Sequence, residues 1–230
     1  MRNDYPCQRE YTSMIQALVF DFDGLLVDTE TPALESWQQI YAEYGCSLSL
    51  DVFQHALGTS DGFNALDHLE ELLGHRVDRA AVAARRRTLK TELSKNQPLL
   101  PGVESILTEA QTLGLACAVA SSSDRGWVER WLKYHNIRHF FACVRTADDV
   151  IRTKPAPDLF LSAATCLNIT PPHCLVFEDS PNGILAARAA GMRCVVIPGA
   201  VTQHLTLPAG DLVLPSLHAI PLDGILAHLA

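Results

Sequence analysis

Short runs of apolar residues alternate along the chain with longer stretches in which apolar residues recur every three or four positions. A short continuous run bounded by turn residues is typical of a buried strand, and the wider spacing is typical of an amphipathic helix. The predicted strands are residues 15–20, 115–120, 141–145, 174–177, 194–198 and 211–214. The predicted helices among them are residues 103–113, 124–135, 158–167 and 182–190, with a short helix at the C-terminal end. This alternation predicts an α/β fold, a doubly wound parallel sheet covered on both faces.

One long helical stretch interrupts the alternation directly after the first strand. It shows no convincing strand, and its helical patterns cover residues 32–44, 50–57, 61–73 and 78–95. A turn-rich junction with two prolines and a glycine, residues 98–102, follows it. We therefore interpret the stretch as an inserted all-helical domain with two hinges. The predicted organisation is an α/β core at 14–31 and 98–230, a helical cap domain at 32–97, and a mobile polar tail at 1–13.

Charge and hydropathy exclude several classes of partner. The 230 residues carry a formal net charge of −8, whereas a nucleic-acid footprint would be basic and clustered. No segment approaches the roughly 18 consecutive apolar residues of a membrane span, and the N-terminal tail lacks the apolar region of a secretory signal. We therefore expect a small molecule as ligand, with neither a nucleic acid nor a membrane as partner. A monomer is expected as well, although no feature of the sequence determines the oligomeric state.

The seven cysteines suggest a reducing environment. Their number is odd, no two form a C-x-x-C pair, and three lie in or beside apolar runs, where a free thiol behaves as a small hydrophobe. This pattern favours free thiols in the cytoplasm over a disulfide framework.

Polar side chains that carry chemistry cluster at the ends of the predicted strands or in the loops that follow. These residues are Asp21, Asp23, Ser121, Lys154, Glu178 and Asp179. A parallel sheet would bring them together, because ligands of such sheets bind outside the carboxyl ends of the strands. The first pair does not belong to an EF-hand loop, since Gly24 stands fourth in the motif where that loop needs its glycine sixth.

Converging carboxylates require a cation, and Mg²⁺ suits a site that has only oxygen ligands and shares its shell with a phosphate. Ser121 precedes a predicted helix, whose N-terminus favours an anion, and Lys154 supplies a compact positive charge. A carboxylate can attack phosphorus, and a second carboxyl group can act as general acid and then as base. The set therefore predicts a phosphate monoester site. Taken singly, Ser121 could be only an N-cap and Lys154 only a surface lysine.

Four stretches of the chain, in order, make a family resemblance clear: DFDGLLVDTE, ASSSDR, TKPAPDLF and FEDSPNGILAARAAGM. The sequence resembles the phosphatases of the haloacid dehalogenase superfamily, in the branch similar to β-phosphoglucomutase. The resemblance covers nearly the whole chain from residue 15 onward. It implies a Rossmann-like core whose helical cap closes over the site, a Mg²⁺ cofactor, and hydrolysis of a small phosphorylated metabolite through an aspartyl-phosphate.

The same resemblance implies roles for individual residues. Asp21 is expected to be the nucleophile and Asp23 the general acid and base. The phosphoryl-binding residues are expected to be Ser121, Ser122 and Lys154. The metal ligands are expected to be Asp21, the backbone carbonyl of Asp23, and Asp179, with Glu178 in that shell or next to it.

A cap loop between two helical patterns offers a second motif. Residues 58–62 match G-x-S-x-G, the nucleophile elbow of carboxylesterases, but that elbow requires a strand before it. Helical pattern precedes it here, so the loop is better interpreted as a substrate-facing cap loop in which Thr59, Ser60 and Asp61 contact the substrate.

A phosphomutase of the β-phosphoglucomutase type is the nearest alternative function. Those relatives carry a His, a Lys and an Arg in the cap, and the matching positions here are Ala33, Leu57 and Asp61. A methyl group cannot relay a proton, and Asp61 would repel a second phosphate. We therefore expect hydrolysis.

Two other functions are disfavoured by residues that this chain retains. Dehalogenases of the superfamily lack a second aspartate where Asp23 stands, so Asp23 argues against dehalogenation. A non-catalytic binding module would be expected to lose the nucleophile, which is present here as Asp21.

The basic run on the last cap helix is either a solvated face or an attraction for an anionic substrate. Its residues are Arg85, Arg86, Arg87, Lys90 and Lys95.

Overall fold

A six-stranded sheet runs through the computed structural model, which describes residues 15–57 and 63–229. Its strands are β1 (Ala17–Phe20), β2 (Ala116–Ala120), β3 (Cys143–Arg145), β4 (Cys174–Glu178), β5 (Arg193–Val196) and β6 (Leu212–Val213). Their spatial order is β3-β2-β1-β4-β5-β6, and every neighbouring pair is parallel. The predicted α/β class is confirmed.

The order of the strands reverses beside β1. Phe20 at the end of β1 lies opposite Val119 of β2 on one side and opposite Phe177 of β4 on the other. A crevice opens where a parallel sheet changes direction in this way, outside the carboxyl ends of the two strands. Residues that directly follow β1 and β4 therefore lie at the position where such a sheet binds ligands.

Nine helices are described, and their bounds agree closely with the hydrophobic spacing. They are α1 (Glu30–Glu43), α2 (Leu50–Phe53), α3 (Ala65–Leu73), α4 (Arg79–Leu93), α5 (Val103–Thr112), α6 (Arg125–Tyr134), α7 (Asp158–Leu167), α8 (Pro181–Ala189) and α9 (Leu222–His228). Side-chain caps fix several of their starts: Asp124 accepts from Trp127 N at α6, and Asp78 accepts from Ala81 N at α4.

Alternate residues of the strands face two separate hydrophobic clusters. Leu18 and Phe20 lie in a cluster that α5, α6 and α9 cover, whereas Val19 lies in a second cluster that α7 and α8 cover. Phe20 stacks on Phe177 with ring centroids 4.9 Å apart. Because both faces are covered, the strands are apolar on both sides, as their continuous apolar runs predicted.

The helical segment, which we define as residues 32–97, packs around a third hydrophobic cluster, to which Val201 from the loop after β5 also belongs. Tyr41 and Leu69 are fully buried in it, and the Tyr41 hydroxyl donates to Ala65 O at 2.7 Å. Helix α1 packs along α4. No strand occurs in the described parts of the segment. Helix α2 is shorter than predicted, because a single 3-10 turn, Gln54–Ala56, replaces its second half. The predicted start of α3 at residue 61 lies outside the described residues.

The expectation of free thiols is wrong for one pair. Cys143 of β3 and Cys166 of α7 form a disulfide with their Cα atoms 6.4 Å apart. The two cysteines are 23 residues apart in sequence, and only the packing of α7 against β3 brings them together. The other described cysteines, Cys46, Cys117, Cys174 and Cys194, are free. The cytoplasmic location stays a prediction. Within the described ranges, no helix combines the length and apolar character of a membrane crossing.

Candidate active site

Asp21 directly follows β1 and is buried with 4 % of its surface exposed. Its Oδ1 contacts the Nζ of Lys154, and the same Nζ donates to Glu178 Oε1 at 2.7 Å. Lys154 is completely buried, and its ammonium group lies 4.8 Å from the ring centroid of Phe160. The loop before α7, the end of β1 and the end of β4 thus meet at one lysine.

The charge of Lys154 is maintained by its two carboxylate partners. Burial alone lowers the pKa of a lysine, because it disfavours the charged form. Here the attraction of Asp21 and Glu178 outweighs burial, and the pKa of Lys154 is raised above its ordinary value. Lys154 is therefore a permanent positive charge at the centre of the site.

Glu178 at the end of β4 is held by donors on both of its oxygens. Its Oε2 accepts from the backbone N–H groups of Asp179 and Ser180, each at 2.8 Å, and from Ser180 Oγ at 3.0 Å. Space around it is tight, because a Cβ at Gly183 would lie 1.7 Å from Oε1. With Lys154 on the other oxygen, the geometry makes Glu178 an organiser of the site more than a free ligand.

Asp179 has one carboxylate oxygen that accepts no hydrogen bond from the described residues. Its Oδ2 accepts from Thr202 Oγ1 at 3.2 Å, while its buried Oδ1 has no hydrogen-bond partner among the described residues. One carboxylate oxygen from each of Asp21, Glu178 and Asp179 lies within 4.8 Å of the others. Gly24 allows this close approach: its φ is +84°, and a Cβ there would lie 2.5 Å from Asp179 Oδ2.

The titration behaviour of these acids fits a cation site. Burial, followed by the charge of neighbouring carboxylates, raises the pKa of Asp179 well above its ordinary value. Burial also raises the pKa of Asp21, although Lys154 opposes that shift. A divalent cation would favour the ionised forms, and oxygen-only donors suit Mg²⁺. The orphaned Asp179 Oδ1 and the three-carboxylate set therefore fit a divalent metal ion.

Asp23 lies beside this cluster and accepts four hydrogen bonds. Thr29 Oγ1 and Trp127 Nε1 donate to its Oδ1 at 2.6 and 2.9 Å. Ser123 Oγ and Ser121 Oγ donate to its Oδ2 at 2.7 and 3.1 Å. The carboxylate is therefore oriented from both sides.

The loop after β2 brings three consecutive serines to the site. Ser121 is fully buried, its N–H donates to Arg145 O at 2.9 Å, and its Oγ accepts from Ser123 N at 3.0 Å. Ser122 lines a cleft above the sheet edge. The backbone N–H of Ser121 is thus already used, and its hydroxyl donates to Asp23 while it accepts from Ser123.

That cleft lies between α4 of the helical segment and the start of α6, with a volume of about 610 Å³. Its charged and polar lining includes Arg86, Arg87, Lys90, Ser122, Ser123, Asp124, Trp127 and Arg130. Arg86 lies over the ring of Trp37 at 5.2 Å, and Lys90 over the ring of Trp127 at 4.1 Å. The basic run on α4 therefore has two faces, since exposed Arg85 pairs with Glu43 at 2.9 Å instead.

Two of the four basic residues that line the cleft, Arg86 and Lys90, are half-buried on α4. Burial lowers the pKa of Arg86 and of Lys90. No carboxylate of the described residues forms an ion pair with either of them, and Arg86 Nε lacks a hydrogen-bond partner there. The nearby acids are Asp23, Glu30 and Asp124 for Lys90, and Glu30 for Arg86. Burial followed by the charge of Asp23 raises the pKa of Glu30 to about 7.

The structure thus brings together Asp21, Asp23, Ser121, Ser122, Lys154, Glu178 and Asp179 at one edge of the sheet. The proposed substrate contacts Thr59, Ser60 and Asp61 lie outside the described residues. Sequence reasoning missed Ser123, Trp127 and Thr202 as partners of the acids. Ser123 stood inside a quoted motif, whereas Trp127 and Thr202 carried no signal in the sequence.

Comparison with known proteins agrees with this site. A family model described as "Haloacid dehalogenase-like hydrolase" matches residues 18–197. "Putative phosphatase YhcW" of Bacillus subtilis (strain 168) is 42 % identical over 94 % of this chain and 98 % of its own length.

Solved structures share the fold. A mutant of CbbY from Rhodobacter sphaeroides, in complex with xylulose-(1,5)bisphosphate, superposes with a TM-score of 0.74 at 27 % identity, covering 92 % of this chain and 99 % of that one. A β-phosphoglucomutase from Clostridium difficile gives a TM-score of 0.76 at 24 % identity, over 94 % and 97 % of the two chains, and this likeness concerns the fold alone. The chain therefore belongs to the haloacid dehalogenase-like hydrolase family, as a hydrolase of phosphoric monoesters.

Proposed function

We propose that the protein is a Mg²⁺-dependent phosphatase that hydrolyses a small phosphorylated metabolite through an aspartyl-phosphate on Asp21. One observation carries the proposal: Asp21 is held at the sheet's switch point between a buried, charged lysine and an acidic cluster with an orphaned oxygen. This arrangement supplies a fixed nucleophile, a fixed positive charge and a cation site within one small volume.

The metal would be held by Asp21, the backbone carbonyl of Asp23, and Asp179, with Glu178 orienting Lys154 and the start of α8. When bound, Mg²⁺ supplies electrostatic stabilisation of the charge on the transferring phosphoryl group. Thr202 donates a hydrogen bond to Asp179, and Gly24 leaves the room that this carboxylate occupies. Glu178 is assigned this supporting role because donors occupy both of its oxygens.

Each side chain of the site has its own role in the proposed reaction. Lys154 binds the phosphoryl oxygens together with the hydroxyl of Ser121, which turns from Asp23 Oδ2 to the phosphoryl group and has Ser122 beside it. A carboxylate oxygen of Asp21 attacks phosphorus. The ester bond breaks, and Asp23 gives a proton to the leaving oxygen. Asp23 next removes a proton from the water that attacks the aspartyl-phosphate, which releases inorganic phosphate and restores Asp21.

The cleft under α4 suggests the class of substrate. A half-buried cation without an ion pair is costly, and a substrate anion would offset that cost. Arg86 and Lys90 are such cations, and they line the same cleft as Ser123 and Trp127, which donate to Asp23. We propose a phosphate monoester that carries a second anionic group. The name of one relative's bound compound, a sugar bisphosphate, supports this class.

In this proposal the helical segment acts as a cap over the cleft. Asn182 Nδ2 of α8 donates to Leu57 O at 2.8 Å, and Lys90 rests on Trp127 of α6, so the segment already contacts the core on two sides. Mutase chemistry is not favoured, because Ala33 and Leu57, at the positions of the mutase relatives' His and Lys, are buried among apolar residues and offer neither a proton relay nor a cation.

The proposal is tested by release of inorganic phosphate from a panel of metabolites. The panel should contain matched pairs that differ by one distal anionic group, such as a sugar phosphate and the corresponding bisphosphate. We expect turnover with Mg²⁺, loss of turnover in EDTA, recovery when Mg²⁺ is returned, and preference for the doubly anionic member. A protein that hydrolyses phosphate esters equally well in EDTA would contradict the metal assignment.

A further inference from the structure

One of the four donors that hold Asp23 comes from outside the recognised motifs. Trp127, in the first turn of α6, directs its indole Nε1–H at Asp23 Oδ1 at 2.9 Å. Resting on the proposed role of Asp23 as acid and base, we infer that Trp127 is a positioning residue for that carboxyl group, and that it links the position of the cap to the acid–base step.

The four donors bond the two oxygens of Asp23 in pairs, and the two oxygens are expected to have different roles. Thr29 and Trp127 bond Oδ1, whereas Ser121 and Ser123 bond Oδ2. Ser121 is the proposed phosphate ligand, so Oδ2 is the oxygen on the phosphate side and the one that exchanges a proton with the leaving group. Trp127 holds the opposite oxygen. An indole N–H can only donate, so Trp127 orients Asp23 without taking part in proton transfer.

The indole itself is held by a residue of the cap. Lys90 Nζ of α4 lies 4.1 Å from the Trp127 ring centroid, and Arg130 Cζ of α6 lies 4.8 Å from it. Such cation–π contacts fix the position of the ring. Because α4 belongs to the cap and α6 to the core, opening the cap withdraws Lys90 from the ring. The orientation of Asp23 is therefore tightest when the cap is closed and a substrate is enclosed.

This role predicts an effect that depends on the leaving group. An alkoxide is a poor leaving group and needs the proton of Asp23, whereas p-nitrophenolate leaves without one. The parameter kcat/KM covers only the steps up to formation of the aspartyl-phosphate, so it isolates the acid step from the later base step. Loss of the Trp127 N–H should thus impair an alkyl phosphate and spare an aryl phosphate.

The test compares Trp127→Phe with Trp131→Phe on glycerol 2-phosphate and p-nitrophenyl phosphate. Trp131 is the matched control, since it lies one turn further along α6 and its Nε1 has no partner among the described residues. For Trp127→Phe we expect kcat/KM to fall roughly tenfold with the alkyl ester and less than about twofold with the aryl ester. Lys90→Met should shift the same ratio in the same direction by less. Equal losses on both esters, or no loss on either, would overturn the inference.

A second measurement tests the hydrogen bond between Trp127 Nε1 and Asp23 Oδ1 without relying on catalytic turnover. In a ¹⁵N-edited spectrum, Trp127→Phe assigns the indole Nε1–H resonance of Trp127. Asp23→Ala should change the chemical shift of that resonance and leave the chemical shift of the Trp131 resonance unchanged. If Asp23→Ala leaves the Trp127 chemical shift unchanged, the inference is overturned. If the wild-type protein hydrolyses no phosphate ester, the proposed function fails while this spectrum still decides the contact.

Discussion

Two regions meet at the site, and they differ in whether their buried cations form ion pairs. At the edge of the sheet, Lys154 is fully enclosed and bonded to two carboxylates. In the cleft under α4, Arg86 and Lys90 rest on tryptophan rings and have no ion pair among the described residues. One region is electrostatically complete apart from its cation site. In the other, nearby acids such as Glu30 attract the two cations without forming ion pairs with them, so both cations remain available to an anionic substrate.

This difference separates the residues that carry out phosphoryl transfer, at the sheet edge, from those that select the substrate, in the cleft. The sheet edge is built from residues fixed by strands β1 and β4 and by the loop before α7, so its geometry is the same for every substrate. The cleft is built partly from α4, which belongs to the segment that packs around the third hydrophobic cluster. We therefore expect changes at the sheet edge to abolish phosphoryl transfer, and changes in the cleft to alter which ester is chosen.

Replacing Lys154 should give the largest effect. In Lys154→Met two carboxylates lose their buried partner, and an uncompensated buried charge typically costs roughly 3–5 kcal/mol of unfolding free energy. We expect a loss of that size in urea denaturation in EDTA, partial recovery with Mg²⁺, and turnover reduced by roughly a hundredfold or more. The control is Lys133→Met, whose exposed pair with Glu129 spans 3.6 Å and should contribute less than about 1 kcal/mol. Similar stability of the two variants would show that the sheet edge is not the charged core described here.

Replacing Arg86 should give an intermediate effect that is confined to recognition. For Arg86→Met we expect kcat/KM for a doubly anionic ester to fall roughly tenfold to a hundredfold, because a charge-assisted hydrogen bond is lost. With p-nitrophenyl phosphate, kcat/KM should change less than about twofold. Arg85→Met is the matched control, since Arg85 is exposed and pairs with Glu43. Equal losses on both esters would erase the distinction between the two regions.

Replacing Glu30 should give the smallest effect, which is visible in the pH dependence of stability. The pKa of Glu30 is raised from 4.5 to about 7 by burial, so the folded protein retains a proton that the unfolded chain has released. The free energy of unfolding should therefore fall as pH rises from about 4.5 to about 7. Glu30→Gln should remove roughly 2 kcal/mol of that fall, whereas Glu35→Gln, exposed on the same helix, should not. Parallel pH curves for wild type and Glu30→Gln would contradict the assignment.

The sequence predicted the sheet edge much better than the cleft, for a physical reason. Asp21, Lys154 and Asp179 each follow or precede a strongly patterned element, and a parallel sheet places its strand ends on one side. Their convergence could therefore be inferred before any coordinates. Their hydrogen-bond partners could not all be inferred, since Thr202 reaches Asp179 from a loop without a motif.

Tertiary packing decided what the linear pattern left open. The run Arg85–Arg87 gave no indication that Arg85 faces a surface glutamate while Arg86 faces the cleft, because both outcomes fit one helix. The disulfide between Cys143 and Cys166 had no local spacing signal and depends on the packing of α7 against β3. Trp127 was predicted only as part of a helix. Its contact with Asp23 spans 104 residues of sequence.

The central claim is that Asp21 receives the phosphoryl group, and trapping the intermediate tests it most directly. Borohydride reduces an acyl phosphate to an alcohol, so quenching the enzyme during turnover should convert the phosphorylated aspartate into homoserine, which peptide mass spectrometry can locate. The account predicts homoserine at Asp21, only with substrate and Mg²⁺, in wild type and in Asp28→Asn, whose carboxylate in the wild type bonds Thr31 outside the cluster. It predicts none in a folded, inactive Asp21→Asn. Homoserine at Asp23, or phosphate release by Asp21→Asn at the wild-type rate, would contradict it.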